Sequence, residues 1–152
     1  MPKKETALKI IPLGGLDGIG KNMTVFEYGN DMVMIDAGLM FPDDEQPGID
    51  LILPDYTYVL ENEDKLRGII ITQDHTGALP YLLQDLTHKV PIYSSKLTLG
   101  IIEGKLAEHN IKSPKFREVQ DGSTITLGAF NITFFAMTHS IPAAFGVFMN
   151  TP

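Results

Sequence analysis

Asp74 and His75 are the residues of this chain best placed by type and spacing to do chemistry. They stand in Thr72-Gln73-Asp74-His75-Thr76, directly behind the apolar run Gly68-Ile69-Ile70-Ile71. A β-branched run of that kind reads as a buried strand. Beyond it, Leu79, Leu82, Leu83 and Leu86 recur at i, i+3, i+4 and i+7, the spacing of one helix face. The dipeptide therefore sits where a strand hands over to a helix, among backbone N–H groups left free at the helix start. A carboxylate beside an imidazole can ligate a metal or move a proton there. The rival reading is that Asp74 caps the helix and His75 is a polar residue at its start. His139, in Thr138-His139-Ser140-Ile141-Pro142, follows a second apolar run, Phe130 to Met137. It reads as a strand-end histidine or as a residue of a surface loop. Asp36 closes Met34-Ile35-Asp36 before Ala37-Gly38, where a turn residue is expected.

The elements that must position these residues alternate in kind. Ala7 to Leu13 reads as a strand. Gly14 to Asn22 is a glycine-rich turn, and Met23–Tyr28 and Asp31–Asp36 form a hairpin about Gly29-Asn30. The proline- and acid-rich stretch from Phe41 to Pro54 reads as a loop, and Asp55 to Arg67 as a short helix. Gly68 to Thr72 is the central strand and Thr76 to Leu86 a helix, with Pro80 tolerated in its first turn. Val90 to Ser94 is a strand. Ser95 to Asn110 is a helix capped by Ser95, with Leu97, Leu99, Ile101, Ile102, Leu106 and Ala107 as its apolar face. Four strands follow, over 116–119, 123–127, 130–137 and 145–149. Strands at both ends with helices between them predict an α+β fold, a mixed sheet with helices packed on one face. His88 and His109 have no motif around them and read as solvated. The spacing Gly14-Gly15-x-x-Gly18-x-Gly20 precedes a strand rather than a helix, so it lacks the context of a dinucleotide site.

Bulk properties narrow the field. The length predicts one domain, and 43% hydrophobic with 20% charged residues is ordinary for a folded globular chain. A net charge of −7 gives no general affinity for phosphate backbones, so any contact with RNA needs a local basic surface or a partner. With no cysteine, disulfides and thiolate metal sites are excluded, and His, Asp and Glu are the strong metal ligands left. No signal-peptide pattern and no apolar run of membrane-spanning length is present. The expectation is a cytoplasmic protein with no membrane partner.

The stretch Thr72–Tyr81 resembles the metal-binding strand–loop–helix of the metallo-β-lactamase superfamily, and in particular the ribonuclease J family. That family reads T-H-x-H-x-D-H followed by G-A-L-P-Y. Here Thr72, Asp74-His75 and Gly77-Ala78-Leu79-Pro80-Tyr81 match, while the single Gln73 replaces H-x-H-x, so the loop is three residues shorter. Thr138-His139-Ser140-Ile141-Pro142 resembles the motif that supplies the family's next histidine ligand, although Ala143-Ala144 stand where an acidic and a hydroxyl residue usually follow. Asp36 resembles the superfamily's strand-end aspartate, and Gly14–Asn22 the family's G-G-x-x-x-I-G-K-N turn. Phe41-Pro42, Leu53-Pro54-Asp55-Tyr56, Pro91-Ile92-Tyr93 and Leu127-Gly128-Ala129-Phe130 extend the similarity over nearly the whole chain.

The resemblance implies part of a metallo-β-lactamase-like αββα sandwich over residues 1–152, the N-terminal part of that domain, without the family's β-CASP and C-terminal domains. It implies a metal-dependent RNA hydrolase, with zinc as the cofactor and manganese as an alternative. Asp74, His75 and His139 would be metal ligands, Asp74 and His75 catalytic, and Asp36 a support behind the ligands. The missing histidines, and ligands that would lie downstream of Pro152, imply that catalysis is lost or weak and metal occupancy low. The alternative is a non-catalytic remnant that acts by association with an intact homologue or another protein. Part of a sandwich leaves a sheet face uncovered, so self-association or a complementing chain is expected.

Overall fold

The computed structural model describes residues 6–14, 22–38, 48, 52–72, 76–137 and 144–152. Nine strands and three helices fall in these ranges: β1 (Lys9–Gly14), β2 (Met23–Tyr28), β3 (Asp31–Ile35), α1 (Thr57–Glu61), β4 (Leu66–Ile70), α2 (Leu79–Asp85), β5 (Ile92–Ser94), α3 (Lys96–Glu108), β6 (Phe116–Glu118), β7 (Thr124–Leu127), β8 (Phe130–Ala136) and β9 (Phe145–Asn150).

Two sheets result. The larger runs β1-β2-β3-β4-β5-β6, and the smaller β7-β8-β9. The hairpin about Gly29-Asn30 makes β1, β2 and β3 antiparallel neighbours. β4, β5 and β6 are each reached through a helix, and β3 to β6 are parallel, as crossover connections require. The parallel strands therefore end together, and the residues after Ile35, Ile70 and Ser94 share one edge of the sheet.

Alternation along the strands splits the core into two layers. Met32, Met34, Ile69 and Ile71 face the helices and pack with Val59 of α1, Leu79 and Leu82 of α2, and Leu99, Ile102 and Leu106 of α3. Val33 and Ile70 face the other way and pack with Leu127, Phe130, Ile132, Phe134 and Phe145 of the smaller sheet. Gly68 sits at the contact between the sheets. A Cβ there would lie 2.8 Å from Leu127 Cδ1, so a side chain would hold the two sheets apart. The α+β architecture and the helices on one face of a mixed sheet are as the sequence predicts.

Three sequence expectations are corrected. The stretch Asp55–Arg67 is not one helix. α1 spans five residues, a 3-10 turn covers Glu63–Lys65, and Leu66 and Arg67 already belong to β4. Leu66 pairs with Met32 across the sheet and is buried, and tertiary pairing outweighs the local helix preference. On α3, Leu99, Ile102 and Leu106 are buried as expected, but Leu97 and Ile101 are exposed and Ala107 faces solvent. Third, α2 begins at Leu79, so Thr76 to Ala78 form a turn before it. Ser95 does cap α3, accepting from the Thr98 N–H at 3.2 Å. The glycine-rich turn from Gly15 to Lys21 and most of the Phe41–Pro54 loop lie outside the described residues.

Candidate functional site

Asp36 is the expected site residue that the structure describes. It follows β3 with φ of +63°, a left-handed conformation that costs a non-glycine residue about 1 kcal/mol and that Asp tolerates better than most. Several bonds hold it there. Its N–H donates to the Ile70 carbonyl at 2.8 Å. Its carboxylate accepts from the Thr72 N–H at 2.8 Å, and from the Thr72 hydroxyl at 2.8 Å to Oδ2 and 3.0 Å to Oδ1. With 9% of its surface exposed, Asp36 ties the end of β3 to the end of β4, one residue before Gln73-Asp74-His75.

The backbone around this tie draws further segments to the same edge. Ala78 N–H donates to the Ala37 carbonyl at 2.7 Å, which docks the start of α2 beside Asp36. Gly38 N–H donates to the Asn22 carbonyl at 2.9 Å. The Thr72 carbonyl accepts from Phe145 N–H at 2.8 Å, and Met137 N–H donates to Ala144 at 3.0 Å. Thr72 is therefore a junction: it precedes the segment with Asp74 and His75, and it bonds to the strand that follows the segment with His139.

Asp74, His75 and His139 themselves lie outside the described residues. The described flanks meet at one hydrogen-bonded junction, which a shared site needs. The donor types suit a metal too, since two imidazoles and a carboxylate are the usual nitrogen and oxygen ligands of zinc. Among the described residues no group of three His, Asp or Glu could hold an ion.

Two polar residues near this edge escape a motif search. Thr76 is buried, and Lys105 of α3 donates to its hydroxyl at 2.7 Å. Ser94 is also buried, and its hydroxyl donates to the Ile71 carbonyl at 2.7 Å, pinning the end of β5 to β4. Neither has a sequence signature, because each partnership joins positions more than twenty residues apart. His88 and His109 are not part of this edge. His88 is exposed, and His109 at the end of α3 packs its ring edge-on to Tyr81, with centroids 5.2 Å apart.

No family model matches the chain. Among characterised proteins it is 46% identical to ribonuclease J 2 of Staphylococcus aureus, over 98% of this chain and 27% of that protein. The chain thus spans about a quarter of that relative's length. The alignment runs over 153 positions, more than the 152 residues of the chain, so this chain is shortened somewhere relative to it. Among solved structures it is similar to Zn2+-bound PqqB of Methylobacterium extorquens, with a TM-score of 0.62 and 10% identity, covering 93% of this chain and 61% of that one. It is also similar to a B3 metallo-β-lactamase with an active-site glutamic acid, with a TM-score of 0.55 and 16% identity, covering 93% and 54%. These two likenesses fix the fold as that of the metallo-β-lactamases.

Proposed function

For a chain that belongs to the ribonuclease J family and has the metallo-β-lactamase fold, we propose the role of a ribonuclease J-like, metal-dependent RNA phosphodiester hydrolase fragment whose catalysis is lost or weak. The observation that carries this reading is the 46% identity along 98% of the chain. Residues 1–152 correspond, in this reading, to the N-terminal part of a metallo-β-lactamase-like domain, acting in the cytoplasm.

Asp74, His75 and His139 would hold the ion, zinc or manganese, with Asp36 and Thr72 fixing the backbone that presents the first two. Bound metal supplies an activated water at neutral pH and polarises the phosphoryl oxygens. A catalytic zinc keeps three protein ligands and an open position, so all three would have to converge on one ion to complete even a single site. Two-metal hydrolysis needs a second ion a few ångströms away, and the single Gln73 in place of H-x-H-x removes two imidazoles from it. Metal content of the dialysed protein tests the reading. It predicts zinc or manganese below one equivalent, lost altogether in Asp74→Ala/His75→Ala. Two equivalents of tightly held metal would overturn it.

A second reading is favoured by one surface. On the outer face of the smaller sheet, Phe135, Met137 and Phe148 are 44%, 52% and 59% exposed. Three large apolar side chains on one face suit a contact surface. This supports a non-catalytic remnant that associates with itself, with an intact homologue or with another chain. Co-purification with a full-length ribonuclease J, lost in Phe135→Ser/Phe148→Ser, separates it from the first reading.

A further inference from the structure

The sheet edge opposite Asp36 carries a cavity of about 220 Å3. It lies between the end of α2, the turn into β5 and the turn from α3 into β6. Its floor is aliphatic, with Leu86, Val90 and Ile92 buried there. Its rim is basic: Lys89, Lys112 and Lys115 all line it and all are exposed.

The local structure explains how three lysines come to one rim. Asn110, with φ of +58°, ends α3 in the left-handed conformation. The Ile111 N–H then reaches back to the Leu106 carbonyl at 2.9 Å, and the Asn110 N–H to Ala107 at 3.1 Å. This paired closure reverses the chain at a helix end and brings Lys112 and Lys115 back across the sheet edge. The Lys115 carbonyl accepts from the Ile92 N–H at 2.8 Å, which fixes this turn to β5. The facing wall is fixed by Glu63, whose Oε1 accepts from Thr87 N–H, Thr87 hydroxyl and His88 N–H at 2.6, 2.9 and 2.7 Å. That carboxylate is committed to the wall that carries Lys89. Among the described residues, the ion pairs involve Lys9, Lys65 and Arg67 and none of the rim lysines.

Three ammonium groups over one aliphatic-floored cavity reverse the field locally in a chain of net charge −7. They select an anion with an apolar part. Lysine binds phosphate as a point charge without the planar fork of arginine, and no arginine lines this cavity. We propose that the cavity is a binding site for the sugar–phosphate backbone of single-stranded RNA, with the lysines on phosphates and a ribose or base against the aliphatic floor. The lysines require an anion; phosphate as that anion, and RNA among phosphate polymers, rest on the function proposed above. No Phe, Tyr or Trp lines the cavity, so it lacks the large aromatic platform on which successive bases stack. Affinity comes from counterion release and is steep in salt and blind to sequence.

Anisotropy of a labelled single-stranded RNA oligonucleotide, titrated with the whole chain in EDTA over a salt series, tests this. EDTA uncouples the result from the metal centre: failure here leaves the hydrolase reading intact, and absence of cleavage leaves this site intact. With three lysines engaged, log K should fall against log salt with a slope of about −2, and Lys112→Ala/Lys115→Ala should reduce it to about −0.7. Lys9→Ala/Lys96→Ala, which removes the same charge from exposed residues outside the cavity lining, should leave the slope unchanged. In the wild type, RNA should shift the backbone amide resonances of residues 87–90, 111–113 and 115. No binding at low salt, equal losses in both double variants, shifts confined to other residues, or polyglutamate bound more tightly than RNA would each overturn the proposal.

Discussion

The Asp36 carboxylate accepts both the N–H and the hydroxyl of Thr72, each at 2.8 Å. The pair joins the ends of two parallel strands and fixes the residue from which the Asp74-His75 segment departs. Hydrogen bonds to a charged acceptor contribute about 1.5–3 kcal/mol each. Asp36→Ala should therefore destabilise the fold by about 2–4 kcal/mol, and Thr72→Val, which keeps the N–H bond, by about 1–2 kcal/mol. Urea unfolding of the two variants and of their combination measures this. Because the residues share one interaction, the double variant should cost clearly less than the sum.

Stability should fall at both ends of the pH range. Burial, and then the hydrogen bonds to Asp85 and Glu27, raise the phenols of Tyr56 and Tyr58 above the ordinary tyrosine range. A raised folded value means stability that is complete below the unfolded pKa, about 10, and lost as pH climbs through the folded value. Glu63 behaves oppositely. Burial opposes ionisation, but the His88 and Thr87 donors outweigh it and hold the carboxyl below its usual range. Its contribution is complete above about pH 4.3 and lost as pH falls through the folded value. Urea midpoints should drop above about pH 10 in the wild type and less so in Tyr56→Phe/Tyr58→Phe. They should drop below about pH 4, and less so in Glu63→Gln.

The outer face of the smaller sheet should make the chain sticky. The ring of Phe135 and the sulfur of Met137 lie over Gly146, which has no side chain to fill that space. Phe148 continues the same face along β9. Light scattering should give a mass that rises with protein concentration, and Phe135→Ser/Phe148→Ser should return it to the monomer. A wild type that stays monomeric at high concentration contradicts this expectation.

Much of this architecture is legible in the residues themselves. The β-branched run before Thr72 and the turn at Gly29-Asn30 announce β4 and the β2–β3 hairpin, and Ser95 marks the start of α3. Leu66 and Arg67 are misread because their strand identity comes from pairing with β3, which no local pattern encodes. Leu97 and Ile101 are misread because helical spacing marks apolar residues without saying which stripe meets the sheet. At the candidate site, Asp36 is legible as a strand-end aspartate, but its bond to Thr72 spans 36 residues. The basic cavity is invisible in sequence for the same reason: Lys89 and the Lys112–Lys115 pair are distant along the chain, and the net charge points the other way.

The central claim is a ribonuclease J-family fragment deprived of two-metal chemistry, and RNA hydrolysis tests it most directly. Purified chain and its Asp74→Ala/His75→Ala variant would be incubated with single-stranded RNA in zinc or manganese, beside a variant in which H-x-H-x is restored in place of Gln73. The account predicts cleavage by the wild type no faster than by the double variant, or only weakly above it. Rapid, metal-dependent cleavage that the double variant abolishes and the restored motif does not increase would contradict it.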